Sequence, residues 1–207
     1  MTYQFKLVST HNAKLDKDGI CSINMPPVLT CPGAGHCKAY CYAQTGKQVF
    51  PGPKNFRLRA LELFKTDPKR FELLAKEEIR RAGRQIVRWN DSGDIFSIKY
   101  LKMMARLAKT FNAVKFYTYT KSIKILLKSG HENLPPNLKI IQSYGGKQDK
   151  LIDETKPFAR VFQDKKSIPE GFVDCSESDY LAATTATKIA IVVHGNLKKY
   201  FKPMQKK

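Results

Sequence analysis

Three of the five cysteines of this 207-residue chain lie within one short segment, with the spacing C-x5-C-x3-C. They are Cys31, Cys37 and Cys41. Pro32, Gly33 and Gly35 disfavour helix and strand in this segment, so the chain there can wrap around a bound group. Thiolates are soft anionic ligands that bind metal ions and hold iron–sulfur clusters. Residues 30–43, which we call the cysteine loop, are therefore predicted to hold a metal or a cluster.

The spacing in the cysteine loop matches no common zinc signature. On residue types alone, a zinc site with His36 as the fourth ligand stays open as an alternative. A group of buried or free thiols without any ligand is the other alternative, and the tight spacing of the three cysteines argues against it. A cluster or metal is the starting hypothesis.

The charge of the chain is strongly positive, with 37 Lys and Arg against 18 Asp and Glu and a formal net charge of +19. This balance favours an acidic partner, either nucleic acid or an acidic protein. Candidates for nucleic-acid contact are Arg80, Arg81, Arg84 and Arg88, although a solvated helix face explains the first three equally well. A basic tail is predicted over 197–207.

Composition also limits the class of protein. The hydrophobic content of 42% is that of a globular chain, and no apolar run approaches the length of a membrane span. The N-terminus lacks the apolar core of a signal peptide. We therefore expect one domain over 1–207 in the cytoplasm, where cysteine clusters are more often metal sites than disulfides.

The pattern of apolar residues predicts alternating strands and helices. Strands are predicted at 19–24, 86–89, 113–117, 138–142, 159–162, 172–173 and 189–193. Helices are predicted at 56–64, 68–82, 98–108 and 123–129, with Asp67 and Ser97 as starts and Gly83 as a stop. Such repetition implies a mostly parallel sheet, either open and doubly wound or closed as a (β/α) barrel. A full barrel takes about 250 residues, so this length favours a compact or partial barrel.

Polar residues follow nearly every predicted strand. They are Asn24, Asn90 to Ser92, Thr118 to Lys121, Gln142 to Tyr144, Gln163 and Asp164, Asp174 and Cys175, and His194. In a barrel these strand ends converge on one mouth, where active sites lie. The cysteine loop follows the first predicted strand, at the same mouth. This convergence favours the barrel over the open sheet.

Cys175 is predicted to face the same mouth because it ends a short strand. As a fourth thiolate it would complete a [4Fe-4S] cluster and leave no iron open. Cys21 is the competitor for this role, but its place inside the first strand is more typical of a small buried hydrophobe.

Longer stretches of the chain resemble known families. Residues 22–27, the cysteine loop, 89–97 and 116–122 are similar to phage proteins of the gene product 88 family. A cysteine loop that directly follows the first barrel strand and ends in Cys-Tyr also resembles the radical SAM superfamily. That resemblance implies a radical-SAM-like barrel, a [4Fe-4S] cluster on three cysteines and a fourth iron open to S-adenosylmethionine. The gene product 88 resemblance implies the cytoplasm of an infected host cell.

One departure separates the chain from radical SAM proteins, whose common spacing C-x3-C-x2-C is tighter than the spacing here. S-adenosylmethionine therefore stays an open alternative. If it binds, Asp91 and Asp94 occupy the place where radical SAM proteins hold its amino group. Tyr119 and Lys121 would contact an anionic ligand or the edge of the cluster.

Three functions follow from these expectations. Four thiolate ligands would make the protein a redox, electron-transfer or sensing protein with an electron-transfer partner. An open iron would make it a radical SAM enzyme that modifies a nucleic acid or a protein. The third is a basic nucleic-acid-binding protein in which the cluster is structural. The number of cluster ligands discriminates between the first two.

Overall fold

The computed structural model describes residues 5–193 and 195–201. His194, which follows the last predicted strand, lies outside the described residues, as do positions 202–207 of the predicted basic tail. Within the described residues the chain has a mixed α/β fold built on one eight-stranded sheet.

Strands and helices alternate along most of the chain, as the apolar pattern predicts. The strands are β1 (Val8–Ser9), β2 (Ile20–Ile23), β3 (Ile86–Trp89), β4 (Lys115–Thr120), β5 (Leu138–Ser143), β6 (Phe158–Phe162), β7 (Val173–Asp174) and β8 (Lys188–Val192). The α-helices are α1 (Ala13–Asp16), α2 (Pro51–Thr66), α3 (Pro68–Ala82), α4 (Ile98–Thr110), α5 (Ile123–Ser129) and α6 (Tyr180–Ala183). Short 3-10 helices lie at His36–Tyr40, Tyr42–Gln44, Gly46–Val49, His131–Asn133, Asp149–Leu151, Lys165–Ser167 and Gly195–Tyr200.

The strand order in the sheet is β1-β2-β3-β4-β5-β6-β8-β7. Only β1 runs antiparallel to its neighbour, and the other paired strands are parallel. The mostly parallel sheet is therefore confirmed. In the described part of the chain β1 and β7 each pair with one neighbour, so the hydrogen-bonded sheet is open.

Local capping explains where the long helices begin and end. The Asp67 side chain accepts a hydrogen bond from Arg70 N at 2.9 Å, and Pro68 follows as the first residue of α3. The helix stops at Gly83, whose φ of 61° is left-handed and suits glycine. Ser97 caps α4 by accepting from Tyr100 N at 3.1 Å. These are the caps that the sequence predicts.

The two faces of the sheet bury different sets of side chains. On the outer face, side chains such as Val87, Trp89 and Phe116 pack against helices α2 to α5. Each large side chain buried there stabilises the fold by roughly 1.5–3 kcal/mol. The inner face joins residues of six strands with the short α1 and α6, and within the described residues no long helix packs against it. Its strand residues are Ile20, Ile86, Tyr117, Ile141, Ala159 and Ile189.

Several stretches differ from the sequence prediction. Helix α2 begins at Pro51 and not at residue 56, and α6 was not predicted. Residues 5–18, where no strand or helix was predicted, contain β1 and α1, which tertiary contacts and a cap support. The carboxylate of Glu78 accepts hydrogen bonds from Leu7 N and Val8 N, each at 2.8 Å, and Asn12 caps α1. Strand β4, expected to end at residue 117, continues to Thr120 and pairs with β5 over that length.

Among residues 5–193 and 195–201, none of the helices is both long enough and apolar enough to cross a bilayer.

Candidate functional site

A cavity of about 1340 Å³ lies at the carboxyl ends of the central strands. The segments that follow β2, β3 and β4 line it, together with the ends of β5 and β8, the N-terminal segment and helix α2. The parallel strands bring their carboxyl ends to one edge of the sheet, which is where ligands bind in α/β folds. All three cysteines of the cysteine loop line this cavity, as do the predicted site residues Asp91, Asp94, Tyr119 and Lys121.

The cysteine loop is docked by backbone hydrogen bonds on the segment that follows β5. Cys37 N donates to Gly145 O, and Lys147 N donates to Gly33 O, each at 2.9 Å. Ala34 and Gly146 form an isolated antiparallel bridge between these two hydrogen bonds. The docking fixes the path of the loop without using the thiols.

Two glycines of the loop are required by this close approach. A Cβ on Gly33 would lie 2.0 Å from the carbonyl oxygen of Lys121, and one on Gly35 would lie 2.8 Å from the carbonyl carbon of Gly146. Both contacts are with backbone atoms, which cannot move aside as a side chain does. The two residues therefore fit the docked loop only as glycine.

The thiols of the loop are free and influence one another electrostatically. Burial raises the pKa of Cys31 to about 12, and the nearby charges of Asp94, Cys41 and Cys37 raise it further in the same sense. Burial also raises the pKa of Cys41 above its usual value. At neutral pH Cys31 is a neutral thiol and a poor nucleophile. A bound metal would displace its proton, because a coordinating thiol is deprotonated outright.

The described part of the chain has no compact site for a single ion. No three His, Cys, Asp or Glu side chains there lie close enough together to hold a metal ion. The zinc alternative therefore has no preformed site in these residues. The ring of His36 instead makes an edge contact with Tyr40, at 5.7 Å between centroids.

Cys175 lies apart from the cysteine loop. Its side chain is fully buried with the inner-face residues and does not line the described cavity. Its N–H continues the ladder beside β8 by donating to Ala190 O at 2.9 Å. Burial, followed by the charge of Asp179, raises the pKa of its thiol to about 11. The structure thus does not bring Cys175 to the other three thiols.

Cys21 is buried in the outer-face core, as expected of a small hydrophobe.

Asp91 connects the cysteine loop to the sheet. Its carboxylate accepts hydrogen bonds from Tyr42 Oη at 2.6 Å and Asn12 Nδ2 at 2.8 Å, and it lies 3.3 Å from Arg88 Nη1. Tyr42 directly follows Cys41, so this contact fixes the end of the loop. The carboxylate predicted to bind a cofactor amine is therefore engaged inside the protein.

Asp94 is engaged in a similar way. Its Oδ1 accepts from Thr120 Oγ1 at 2.5 Å and from Ile95 N at 2.6 Å, and its Oδ2 accepts from Lys121 N at 3.0 Å. Burial raises the pKa of Asp94, and these hydrogen bonds oppose that shift. Asp94 joins the turn after β3 to the end of β4.

A comparison with protein-family models decides which family this fold and loop represent. The model described as gene product 88 matches residues 5–202. The chain belongs to the gene product 88 family. This confirms the resemblance to a phage-type gene-product family, whereas the comparisons do not support a relationship to the radical SAM superfamily. No curated protein and no solved structure matches the chain.

In this gene product 88 protein, Arg88 is the centre of a buried ion-pair network. Arg88 Nη1 lies 2.5 Å from Asp179 Oδ2, which also accepts from Tyr117 Oη at 2.7 Å. Lys14 Nζ lies 2.7 Å from Asp179 Oδ1. Arg88 also lies over the ring of Tyr119, 5.1 Å from its centroid. Placing Arg88 among the nucleic-acid candidates was wrong, because its charge is paired inside the fold.

Burial and charge oppose each other at Asp179. Burial alone would raise the pKa of its carboxyl group, but Arg88 and Lys14 outweigh burial and hold that pKa below its usual value of 3.8. Asp179 is therefore ionised at neutral pH and stabilises the two cations beside it.

The other predicted cavity residues have mixed surroundings. Lys121 Nζ donates to Ser143 Oγ at 2.7 Å. Tyr119 lies within β4 and not in the loop after it, and its hydroxyl is buried without a hydrogen-bond partner in the described residues. Both side chains face the cavity that the cysteine loop borders.

Sequence reasoning missed Arg57 of α2, which lines the cavity with 5% of its surface exposed. A signal was present in the sequence. Arg57 precedes Ala60, Leu61 and Phe64 by three, four and seven residues, so it lies on the buried face of the helix. Arginine is rarely buried unless its charge is paired, so an arginine at a core-facing helix position is a candidate site residue. The helical pattern alone could have identified Arg57 as such a candidate.

Proposed function

We propose that this gene product 88 family member is an iron–sulfur protein that binds one [4Fe-4S] cluster through Cys31, Cys37 and Cys41. The observation that carries the proposal is the docking of one loop, with three free thiols, on the wall of one large cavity. Soft thiolates presented together by an irregular loop are the usual ligand set of such clusters.

The donor set fits a cluster better than a single ion. In a [4Fe-4S] cluster each thiolate binds a different iron, so the sulfur atoms surround a larger body than one ion. The described residues contain no compact group for a single ion. Burial raises the pKa of Cys41, and the nearby charge of Lys121 opposes that rise to a small extent.

A bound cluster would supply one-electron transfer at the cavity wall. The residues of this chain have the other roles. Gly33 and Gly35 allow the loop to dock, and the contact between Tyr42 and Asp91 holds its far end. The cavity gives space for a ligand beside the thiols. The primary proposal is a redox protein that exchanges electrons with a partner or a cavity ligand, and it requires a fourth cluster ligand other than the three thiols that border the cavity.

A radical SAM enzyme that modifies a nucleic acid or a protein is the second candidate, and two observations favour it. Cys175 lies in the core, so three thiols border the cavity and one iron would be left for S-adenosylmethionine. Six strands also contribute to one inner-face cluster while the long helices pack on the outer face. That arrangement supports a partial (β/α) barrel, because an open doubly wound sheet carries helices on both faces.

Electron paramagnetic resonance on anaerobically purified, reduced protein tests both candidates. We expect a [4Fe-4S]+ signal with about four irons per chain. A signal that changes when S-adenosylmethionine is added would establish an open iron and the radical SAM candidate. A signal that ignores the addition would favour the redox protein. Protein that binds no iron after anaerobic reconstitution with iron and sulfide would overturn the proposal.

A further inference from the structure

Arg57 is a buried cation without a carboxylate partner in the described part of the chain. Its Nη1 and Nη2 donate to the side chain and the backbone carbonyl of Gln48, at 2.6 Å and 2.5 Å, and both acceptors are neutral. Its Nε is buried and has no hydrogen-bond partner in the described residues. Removing a charge from water is costly unless an opposite charge compensates it. A buried guanidinium on a cavity wall therefore favours an anion in that cavity.

Asn90 places a second unused donor on the same cavity. Only 3% of its surface is exposed, and its φ of 57° is the left-handed conformation that asparagine tolerates better than most residues. Tyr100 Oη donates to Asn90 Oδ1 at 3.1 Å, which fixes the orientation of the amide. The Nδ2 group is then left without an acceptor among the described residues. An unsatisfied buried donor beside Arg57 adds to the cost of this part of the cavity wall in the absence of a ligand.

The charged side chains around the cavity also favour an anion. Its described lining contains seven cationic side chains and three carboxylates. The cations are Lys6, Lys14, Lys47, Arg57, Arg59, Arg88 and Lys121. The carboxylates are Asp91, Asp94 and Asp179, and each accepts hydrogen bonds within the protein. Lys14 and Arg88 are themselves paired with Asp179, and Arg88 also with Asp91. The other five cations of the described lining still outnumber the remaining carboxylate, Asp94, so the cavity has an excess of positive charge.

We propose that this cavity binds an anionic small molecule whose carboxylate or phosphate group pairs with the charge of the Arg57 guanidinium, beside the amide of Asn90. Carboxylate and phosphate oxygens are the acceptors that a guanidinium binds most strongly. The volume of about 1340 Å³ is enough for a ligand of the size of a nucleotide. The inference extends the proposed function by assigning a ligand class to the same cavity. It does not require a bound cluster, because neither residue belongs to the cysteine loop.

Anion titrations of the full-length, anaerobically purified protein test this assignment. Inorganic phosphate and acetate are the probes, each exchanged against chloride at constant ionic strength, and the thermal unfolding midpoint is the readout. We expect a saturable rise in the midpoint. A rise with phosphate alone assigns a phosphate group, and a rise with acetate alone assigns a carboxylate. The absence of a saturable rise with either anion would overturn the proposal.

Two variants and one control separate the site from the general positive charge of the protein. Arg57→Met and Asn90→Asp should each weaken the anion response about tenfold or more, the second by replacing a donor with a negative acceptor. Arg70→Gln is the control, because Arg70 is exposed on α3 and does not line the cavity. It should respond as the wild type does. Wild-type affinity in whichever cavity variant folds would overturn the proposal.

Iron content measured in the same samples keeps the two proposals distinguishable. Arg57→Met is expected to retain the iron of the wild type while it loses the anion response. Loss of iron from the wild type itself would count against the cluster and leave the anion titration valid.

Discussion

The thiols show how far residue types and spacing predict a site. The spacing of Cys31, Cys37 and Cys41 identifies the loop that borders the cavity, because residues close in sequence on an irregular segment stay close in space. The position of Cys175 could not be predicted in the same way. It follows β7, which lies at the far edge of the sheet beside β8, whereas the cysteine loop binds the segment that follows β5. Strand order is a non-local property that a strand pattern does not reveal.

Cysteine variants test the ligand assignment. Cys37→Ala should lose most of the bound iron, because it removes one of three ligands. Cys175→Ala should retain wild-type iron and lose about 1–2 kcal/mol of stability from the cavity left in the core. Iron and sulfide analysis with chemical denaturation measures both. Loss of iron in Cys175→Ala, with Cys21→Ala unaffected as the buried-cysteine control, would restore Cys175 as a ligand.

The network around Arg88 predicts a dependence of stability on pH. The pKa of Asp179 is held below 3.8 in the folded protein, so its ionised form stabilises the fold above about pH 4. That contribution is lost as the pH falls through the lower, folded-state pKa. Arg88→Met should cost about 3–5 kcal/mol at pH 7, because it leaves a buried carboxylate short of a partner, and less at pH 3.

Urea unfolding at both pH values measures this difference. The control is Arg106→Met, which breaks the exposed ion pair with Glu72 and should cost at most about 1 kcal/mol. Equal costs for the two variants, or a cost of Arg88→Met that does not change with pH, would contradict the role given to the network.

At the scale of elements, the sequence predicts what local patterning determines. Strand β3 has the predicted bounds, and α3 begins and ends at its predicted caps. Strand β1 and helix α1 were missed because two and four residues are too few to show a period. The contact of Glu78 with residues 7 and 8 supports β1, and that contact joins positions about seventy residues apart.

The docking of the cysteine loop gives a prediction at this scale. Gly33→Ala should displace the loop from the end of β4, because its Cβ would overlap the backbone of Lys121. We expect lower iron content and faster proteolysis within the loop, with the far-UV circular dichroism largely kept. Gly52→Ala is the matched control, since no atom lies within 4 Å of its Cβ and alanine favours the helix by about 0.5–1 kcal/mol. Similar iron content in the two variants would contradict the docking role.

At the scale of the whole molecule, strand–helix alternation was enough to predict a mostly parallel sheet, because parallel strands need crossover connections. Closure into a barrel was beyond the sequence, since it depends on strand tilt and stagger summed over the sheet. For the charges, too, the sequence predicts the total and not the positions. The excess of Lys and Arg was evident, but the burial of Arg88 and the pairing of Arg84 with Asp16 at 2.5 Å required the fold.

The net charge of +19 gives a prediction about nucleic acid. Binding to single-stranded RNA should weaken about tenfold or more between 50 mM and 200 mM salt, because counterions are released at each phosphate contact. Arg80 and Arg81 are exposed on α3, so their joint replacement by Gln should reduce the salt dependence. Fluorescence anisotropy measures both effects. Binding that is absent at 50 mM salt, or unaffected by salt, would contradict a charge-driven contact.

The attachment of the cysteine loop has a consequence for how this protein can diversify. Gly33 and Cys37 bind the segment after β5 through main-chain groups, so the attachment does not depend on the side chains that the loop presents. Lys38 and Ala39 between the cysteines are exposed and can therefore be exchanged while the loop stays docked, provided the glycines at the crossing remain. A library randomised at those two positions would vary the protein surface beside the cysteines on an unchanged scaffold.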